Sequence, residues 1–480
     1  METQRSARRN VTSRLSRRRK SFAWFTGAAI FLTSACAVAE EPAGESPTPP
    51  PSAAAEVDLD GFLATAAKPY EGTTLQVQIF NSPQADTIEL LAPRFTELTG
   101  IEVVFTKLAE NDAVTKTQLT LSAESDVVDV FQTQSFFIGG YGSQNSLAAL
   151  EDLQANDAIT YPGFSFENYS PSSVTALAYG GHNLGVPMFH AQQVMYYRLD
   201  IFEELGIEIP QTLDELELVL AAIHNKPLPA IALRSAVGPT QNMWPFTTWL
   251  YNDGGGYWAS FDPKTNVYSD PIWSSEASVA AADRYGRILR EYGPTGALNW
   301  TVADVVASFL SGQVAIIQEG TPFGATIQDP EKSTVVGLVG AFPIPAGSAG
   351  AYAPSGAHGW SISAYSKNQE ASWLFAQWAG DPATIKQATI DYSFSSPPIP
   401  ALFTDPDFVK KYDFPGFLDA VAVTSERPAS PVGGNYLPGI LNWSEVAQTL
   451  SEQFSEIITG RRDAKSAMTD AEKALEKAKF

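Results

Sequence analysis

From Thr74 onward the chain alternates apolar runs of strand length with segments whose apolar residues recur at helical spacing, which restricts its fold more than any other feature. Leu75–Phe80 (LQVQIF) reads as a strand, with Asn81-Ser82-Pro83 as the turn beyond it. Thr87–Thr99 reads as a helix carrying Ile88, Leu91, Phe95 and Leu98 on one face, with Gly100 as its stop. Ile101–Phe105 and Val127–Phe131 are the next strands, separated by another helix. A strand, a covering helix and a further strand close as a parallel sheet with helices on its faces, which makes the fold class α/β. Ligands of such sheets bind beyond the carboxyl ends of the strands, so the loops after Phe80 and Phe131 are the first places to look.

The same grammar runs to the C-terminus. Tyr196–Leu205 is expected as a short helix ended by Gly206, and Leu213–His224 as another. Thr212 and Glu215 have the spacing of a capping box. Met243–Trp258 is dense in aromatics and glycine. Ser275–Tyr292 and Ala303–Leu310 are expected helices, and Val314–Gln318 and Val335–Ala341 expected strands. The Pro/Gly/Ala/Ser-rich stretch 344–359 reads as a crossover, Glu370–Gly380 as a helix, and Trp443–Ala478 as two helices parting near Gly460.

Ahead of this body lies a segment of a different kind. Residues 1–20 hold eight Arg or Lys and one acid, and the rest of the chain then has 23 basic and 52 acidic residues, a charge of −29. A body so acidic repels phosphate backbones, which argues against nucleic acid as a partner. The basic cluster instead opens an export signal: Ser21–Ala39 is free of charge, apolar at its centre and small-residue-rich at its end. Two processing sites compete, one after Ala37-Val38-Ala39 and one before Cys36, where Thr33-Ser34-Ala35-Cys36 is similar to a lipobox with Thr33 in the place of an aliphatic residue. Residues 40–72, Pro/Ala/Ser-rich at their start, are expected as a tether, as a lipid-anchored body requires. The protein is therefore expected outside the cytoplasm, in the periplasm or on the outer face of the membrane, lipidated at Cys36 or freely soluble. A single cysteine excludes a disulfide framework, and four histidines leave little material for a metal centre; neither metal nor cofactor is expected.

Six patterns in one order resemble the bacterial extracellular solute-binding proteins of ABC importers, closest to the sugar-binding type that includes the maltodextrin- and glycerol-phosphate-binding proteins. They are RFTELTGIEV (Arg94–Val103), Asp126–Leu153, GVPMFHAQQVMYYRLDIFEELGIEIPQTLDEL (Gly185–Leu216), SFLSGQVAIIQEG (Ser308–Gly320), AYSKNQEASWLFAQWAGDP (Ala364–Pro382) and GRRDAKSAMTDAEKAL (Gly460–Leu475). The resemblance implies a two-lobed fold with a ligand cleft. Residues 73–188 and 358–434 would form lobe one, and 189–357 and 435–480 lobe two. Crossovers would fall near Met188–His190, Ser355–Trp360 and Asn435–Trp443. It further implies hinge closure on a carbohydrate, from mono- to oligosaccharide, then delivery to a membrane permease by a monomer that does no chemistry. The driving ATPase is a separate chain, since no G-x-x-x-x-G-K-[ST] sequence is present.

A sugar offers hydroxyls at its rim and apolar C–H faces, so its site needs planar rings together with hydrogen-bonding side chains. The aromatic candidates are Trp244 and Trp258 around the Gly254–Gly256 turn, Trp360 after the second crossover and Trp443 after the third. The polar candidates are Asn81 and Ser82 after the first strand, Gln134 and Ser135 after Phe131, His190 and Gln192 at the first crossover, Glu319 before Gly320, and His358. Each has a plainer alternative: core packing for a Trp, turn formation for Asn81, a hydrogen-bonded hinge for His190, a surface charge for Glu319. The candidate loops hold almost no Arg or Lys, which favours a neutral ligand, although a polyamine, an amino acid or another small solute on the same fold stays open. A secreted glycosidase needs two carboxylates about one bond, and Glu319 with Asp253 would have to serve. No motif marks that pair, and none marks a serine or zinc hydrolase.

Overall fold

The protein is described here by a computed structural model covering residues 58–224, 226, 228–262, 267–432 and 440–479. The export segment, both processing sites and most of the third expected crossover lie outside the described residues. In chain order the elements that matter are α1 (Leu59–Ala66), β1 (Thr74–Phe80), α2 (Pro83–Thr99), β2 (Glu102–Leu108), α3 (Glu110–Ser122), β3 (Val130–Gln134), α4 (Ser135–Ser143), β4 (Val186–Ala191), β5 (Gln193–Arg198), β6 (Ile231–Ala232), α5 (Met243–Asn252), α6 (Glu276–Tyr292), β7 (Ile316–Gly320), β8 (Val339–Pro343), β9 (Gly356–Ile362), α7 (Gln369–Gly380), α8 (Pro406–Tyr412), α9 (Phe417–Glu426), α10 (Trp443–Ile458) and α11 (Ala464–Leu475).

The strands form two main sheets. The first has the order β2-β1-β3-β9-β4, and the second β8-β5-β7-β6. Within the first, β1 pairs in parallel with β2 and β3, whereas β9 runs antiparallel to β3 and β4. Strands β4 and β5 are separated only by Gln192, so the chain passes from one sheet to the other within one residue. It returns through 344–355 into β9. Both crossings fall close to the expected places.

The period-two alternation of β5 shows why the second sheet is covered on both faces. Met195 and Tyr197 join the large core that includes Trp249 and Tyr285, while Val194 and Tyr196 join a second core with Phe408, Phe414 and Phe417. That second core corrects the expected partition. Helices α8 and α9 lie within 358–434, yet they pack on the second sheet: Phe414 and Phe417 stack on Tyr196, and Ala341 N donates to Pro415 O at 2.8 Å. The contact is close enough that a Cβ on Gly416 would meet Ala341 O at 2.2 Å.

Three local expectations also shift. The tether ends earlier than residue 72, because α1 is folded: Asp58 caps it, Leu63 is fully buried, and Asp60 pairs with Arg94 of α2. Asp58 before Leu59, Phe62 and Leu63 is an N-cap ahead of an apolar face, and the Pro/Ala/Ser composition just upstream obscured it. Helix α2 starts at Pro83, since Ser82 Oγ accepts from Ala85 N at 3.3 Å and proline suits the first turn. The stretch from Tyr196 is strand up to Arg198 and helix only from Leu199, as β-branched and aromatic residues there fill a sheet interior.

Candidate functional site

A cavity of about 250 Å³ lies where the ends of the two sheets face each other. The first sheet contributes Phe80, Asn81 and Ser82 beyond β1, Gln134 ending β3, Phe189 in β4 and His358 in β9. The second half contributes Arg234, Gln241, Trp244, Gly320 and Pro322. Hydrogen bonds cross between the halves at its rim: Gln84 Nε2 donates to Pro322 O at 3.2 Å, and Thr240 Oγ1 to Asn111 Oδ1 at 3.3 Å.

One wall is aromatic. The His358 ring stacks on Phe189 with centroids 4.1 Å apart and meets Phe80 edge-on at 5.6 Å. Gln132 sets its orientation: its Oε1 accepts from Phe80 N at 2.9 Å, so its Nε2 is the donor 3.2 Å from His358 Nδ1. The neutral ring therefore carries its proton on Nε2. Burial lowers the His358 pKa to about 3 and that of His190 to about 4. An unfolded chain takes up a proton near pH 6.5 that the folded chain refuses, so stability falls as pH drops below that value towards the folded pKa. His358 should account for up to about 2 kcal/mol of the loss between pH 7 and pH 5. Denaturant titrations of His358→Gln should show a flatter pH profile by that amount, and an unchanged profile refutes the buried neutral ring.

The opposite wall is Trp244, held from behind. Every residue of α5 is buried, and its carbonyls are tied to the sheet: Gln193 Nε2 donates to Trp244 O at 3.0 Å and Gln318 Nε2 to Pro245 O at 3.1 Å. The Arg234 guanidinium lies 4.4 Å from the Trp244 ring centroid. It also makes a two-pronged ion pair with Glu319, Nε to Oε1 at 2.8 Å and Nη2 to Oε2 at 2.6 Å, and donates from Nη1 to Thr240 O at 2.8 Å. Their side chains are only 7% and 0% exposed, so neither charge is compensated by bulk water.

At the third side stands Glu110, the first residue of α3. Its carboxylate accepts from Gln134 Nε2, and from Gln241 Nε2 at 3.5 Å. Burial pushes its pKa up, while Arg234 and the Gln134 hydrogen bond pull it down without winning. Among the described residues, no group of three or more His, Cys, Asp or Glu is placed to hold a metal ion.

Of the residues singled out in the sequence, Asn81, Ser82, Gln134, Trp244 and His358 line this cavity together. The others do not. Ser135 is spent on Ala357 N, accepting at 3.2 Å. His190 lies in β4 beside the crossover, with Nε2 2.8 Å from Ser355 Oγ and its backbone N donating to Ser396 O. Gln192 sits in the crossover and donates to Ser425 Oγ at 2.8 Å. Glu319 does not line the cavity; its carboxylate holds Arg234, which does, and accepts from the backbone N of the lining residue Gly320 at 3.2 Å.

The other three candidate tryptophans, Trp258, Trp360 and Trp443, are core residues. Trp258 and Trp443 both pack on Tyr257, at 5.8 and 5.7 Å between centroids, and are 3% and 1% exposed. Trp360 lies two residues further along β9 than His358, fully buried and edge-on to Phe375. Asp253 ends α5 beside Arg284 and Ser348, in surroundings unrelated to those of Glu319, so the two do not face one bond. Arg234, Glu110, Gln241 and Gln84 went unnoticed because nothing local marks them. The arginine also corrects the premise that the cleft lacks one, although Glu319 matches its charge.

The family model of the bacterial extracellular solute-binding proteins matches residues 81–386. The erythritol/L-threitol-binding protein of Mycolicibacterium smegmatis is 23% identical over 339 residues, which cover 68% of this chain and 70% of that one. The mannitol-binding protein of Pseudomonas aeruginosa is 26% identical over 319 residues, covering 65% and 69%. The crystal structure of an ABC transporter solute-binding protein from Agrobacterium radiobacter K84 in complex with ribitol superimposes with a TM-score of 0.76. It is 24% identical and covers 85% of this chain and 99% of its own, a likeness that shows the two-lobed fold.

Proposed function

We propose that this chain, which belongs to the bacterial extracellular solute-binding proteins, is the capture subunit of an ABC importer for a small, neutral, polyhydroxylated solute, a sugar alcohol or a single sugar unit. The observation that carries this reading is the cavity between the two sheets, walled by Phe80, Phe189, His358 and Trp244 and edged by Asn81, Gln134, Glu110 and Gln241. Ring faces suit the C–H surface of a polyol, and the polar edge suits its hydroxyls. The relatives that bind erythritol, L-threitol, mannitol and ribitol support the same class.

Size narrows the choice. At about 250 Å³ the cavity is smaller than the roughly 300–1,000 Å³ usual for small-molecule sites, which favours four to six carbons over an oligosaccharide. An amino acid is disfavoured because the one arginine that could hold its carboxylate is already matched by Glu319. In this reading the solute leaves unaltered, as expected of a family whose neighbours are transport proteins. The lobes would close on the solute by bending at Gln192 and 344–355, and the closed form would be read by the permease.

Melting of the mature protein should rise with erythritol, ribitol, mannitol or a monosaccharide, by the equivalent of about 2.7 kcal/mol at a concentration 100 times Kd. Maltotriose should have little effect. A shift produced by putrescine and by no polyol or sugar overturns the reading. Export is followed, in this proposal, by lipidation at Cys36. Mass spectrometry of the N-terminal peptide tests it, and an unmodified N-terminus at Glu40 refutes the anchor.

A further inference from the structure

The charges and hydrogen-bond acceptors at the cavity do not balance. Arg234 and Glu319 cancel each other, which leaves the Glu110 carboxylate as the unmatched charge among these three. Around it the polar edge is rich in acceptors. Gln134 Nε2 is turned towards Glu110, and Gln84 Nε2 towards Pro322 O, which fixes each amide so that its oxygen is the remaining group. Both oxygens, Gln134 Oε1 and Gln84 Oε1, are buried without a hydrogen-bond partner, and both residues line the cavity. Asn111 Oδ1 beside them already accepts from Thr240.

A buried acceptor without a donor is a standing loss, and three acceptor groups in one corner ask the solute for donors. Hydroxyls meet that demand, and an ammonium meets it with charge as well. A carboxylate or phosphate brings only more acceptors, next to Glu110, with the guanidinium already paired.

We propose that Glu110 is the specificity-determining residue of the cavity, admitting donor-rich neutral or amine-bearing polyols and rejecting acidic analogues of the same carbon skeleton. This rests on the polyol reading above and adds to it which relatives of the solute are refused. The raised pKa of Glu110 agrees, since burial outweighs what Arg234 and the Gln134 hydrogen bond supply to the carboxylate. The family likeness does not supply the discrimination, which comes from these residues.

The test is calorimetric titration at pH 7.5 with ribitol and D-mannitol, their aldonates ribonate and mannonate, and their 1-amino-1-deoxy derivatives. The wild-type chain should bind an alditol and bind the matching aldonate at least about 100-fold more weakly, with the amine within about tenfold of the alditol. Glu110→Gln should weaken the alditol yet bring the aldonate to within about tenfold of it. Glu110→Asp keeps the charge and should keep the refusal, which separates charge from shape and serves as the control should Glu110→Gln fold poorly. An aldonate bound as tightly as its alditol by the wild type, or an unchanged ratio in Glu110→Gln, overturns the proposal while leaving polyol capture standing. If no alditol, aldonate or amine binds the wild type, the polyol reading itself fails, and this inference with it.

Discussion

Glu319→Ala should remove about 3–5 kcal/mol of stability, the largest single effect expected among the polar residues. The size follows from what is left behind: Arg234, 7% exposed, would keep a full charge without its two-pronged partner, beside Thr240 O, the Trp244 face and the Glu110 carboxylate. Desolvating a guanidinium is tolerable only while its two-pronged partner is present. Arg234→Ala should be comparably harmful, because Glu319 is fully buried. The informative variant is the pair Arg234→Met with Glu319→Leu. Apolar residues of similar volume remove both desolvation penalties, so stability should return to within about 1 kcal/mol of the parent or exceed it. Solute binding should not return, since Arg234 forms part of the cavity and steadies Trp244. Denaturant midpoints and calorimetric affinities measured on all four proteins decide the matter. A single Glu319→Ala variant as stable as the parent would show that the pair is not buried as described.

Trp244→Ala should abolish most binding and also weaken the fold. The ring is 6% exposed, so its loss carries the usual large-to-small penalty of about 3–5 kcal/mol. For the solute, the truncation removes the ring that walls the cavity and that the Arg234 guanidinium lies against, so Kd should rise by about tenfold or more. The same truncation at Trp258 or Trp443 should destabilise to a similar degree yet leave Kd within about threefold, because both lie in the aromatic cluster around Tyr257 and neither lines the cavity. Affinities taken below each variant's melting point separate the two effects. Equal losses of affinity at Trp244 and Trp443 would place the solute elsewhere.

The contrast between these tryptophans shows how far sequence reasoning reaches. Trp258 and Trp443 looked suited to a ligand because their neighbours in the chain are polar and turn-forming. In the folded protein Tyr257 receives both rings, that of its chain neighbour Trp258 and that of Trp443, which arrives from a distant part of the chain. Chain neighbours report on local conformation, whereas burial depends on what arrives from elsewhere. Trp244 was chosen for a similar reason, but what turns it into a cavity wall is the buried glutamine network on β5 and β7.

Strand and helix alternation and the Thr212–Glu215 capping box were legible because each depends on residues within a few positions of one another, whereas the crossover places came from the family resemblance. Local order of that kind is enough to identify an α/β chain and to point at the strand ends as the place for a solute. The sequence by itself determined that much. Only the tertiary structure decided which side chains meet there. Glu110, Gln134, Arg234, Gln241 and Glu319 come from four separated segments, and their charges acquire meaning only once water is excluded around them. An electrostatic balance is a property of distances in space, and no spacing along the chain encodes it.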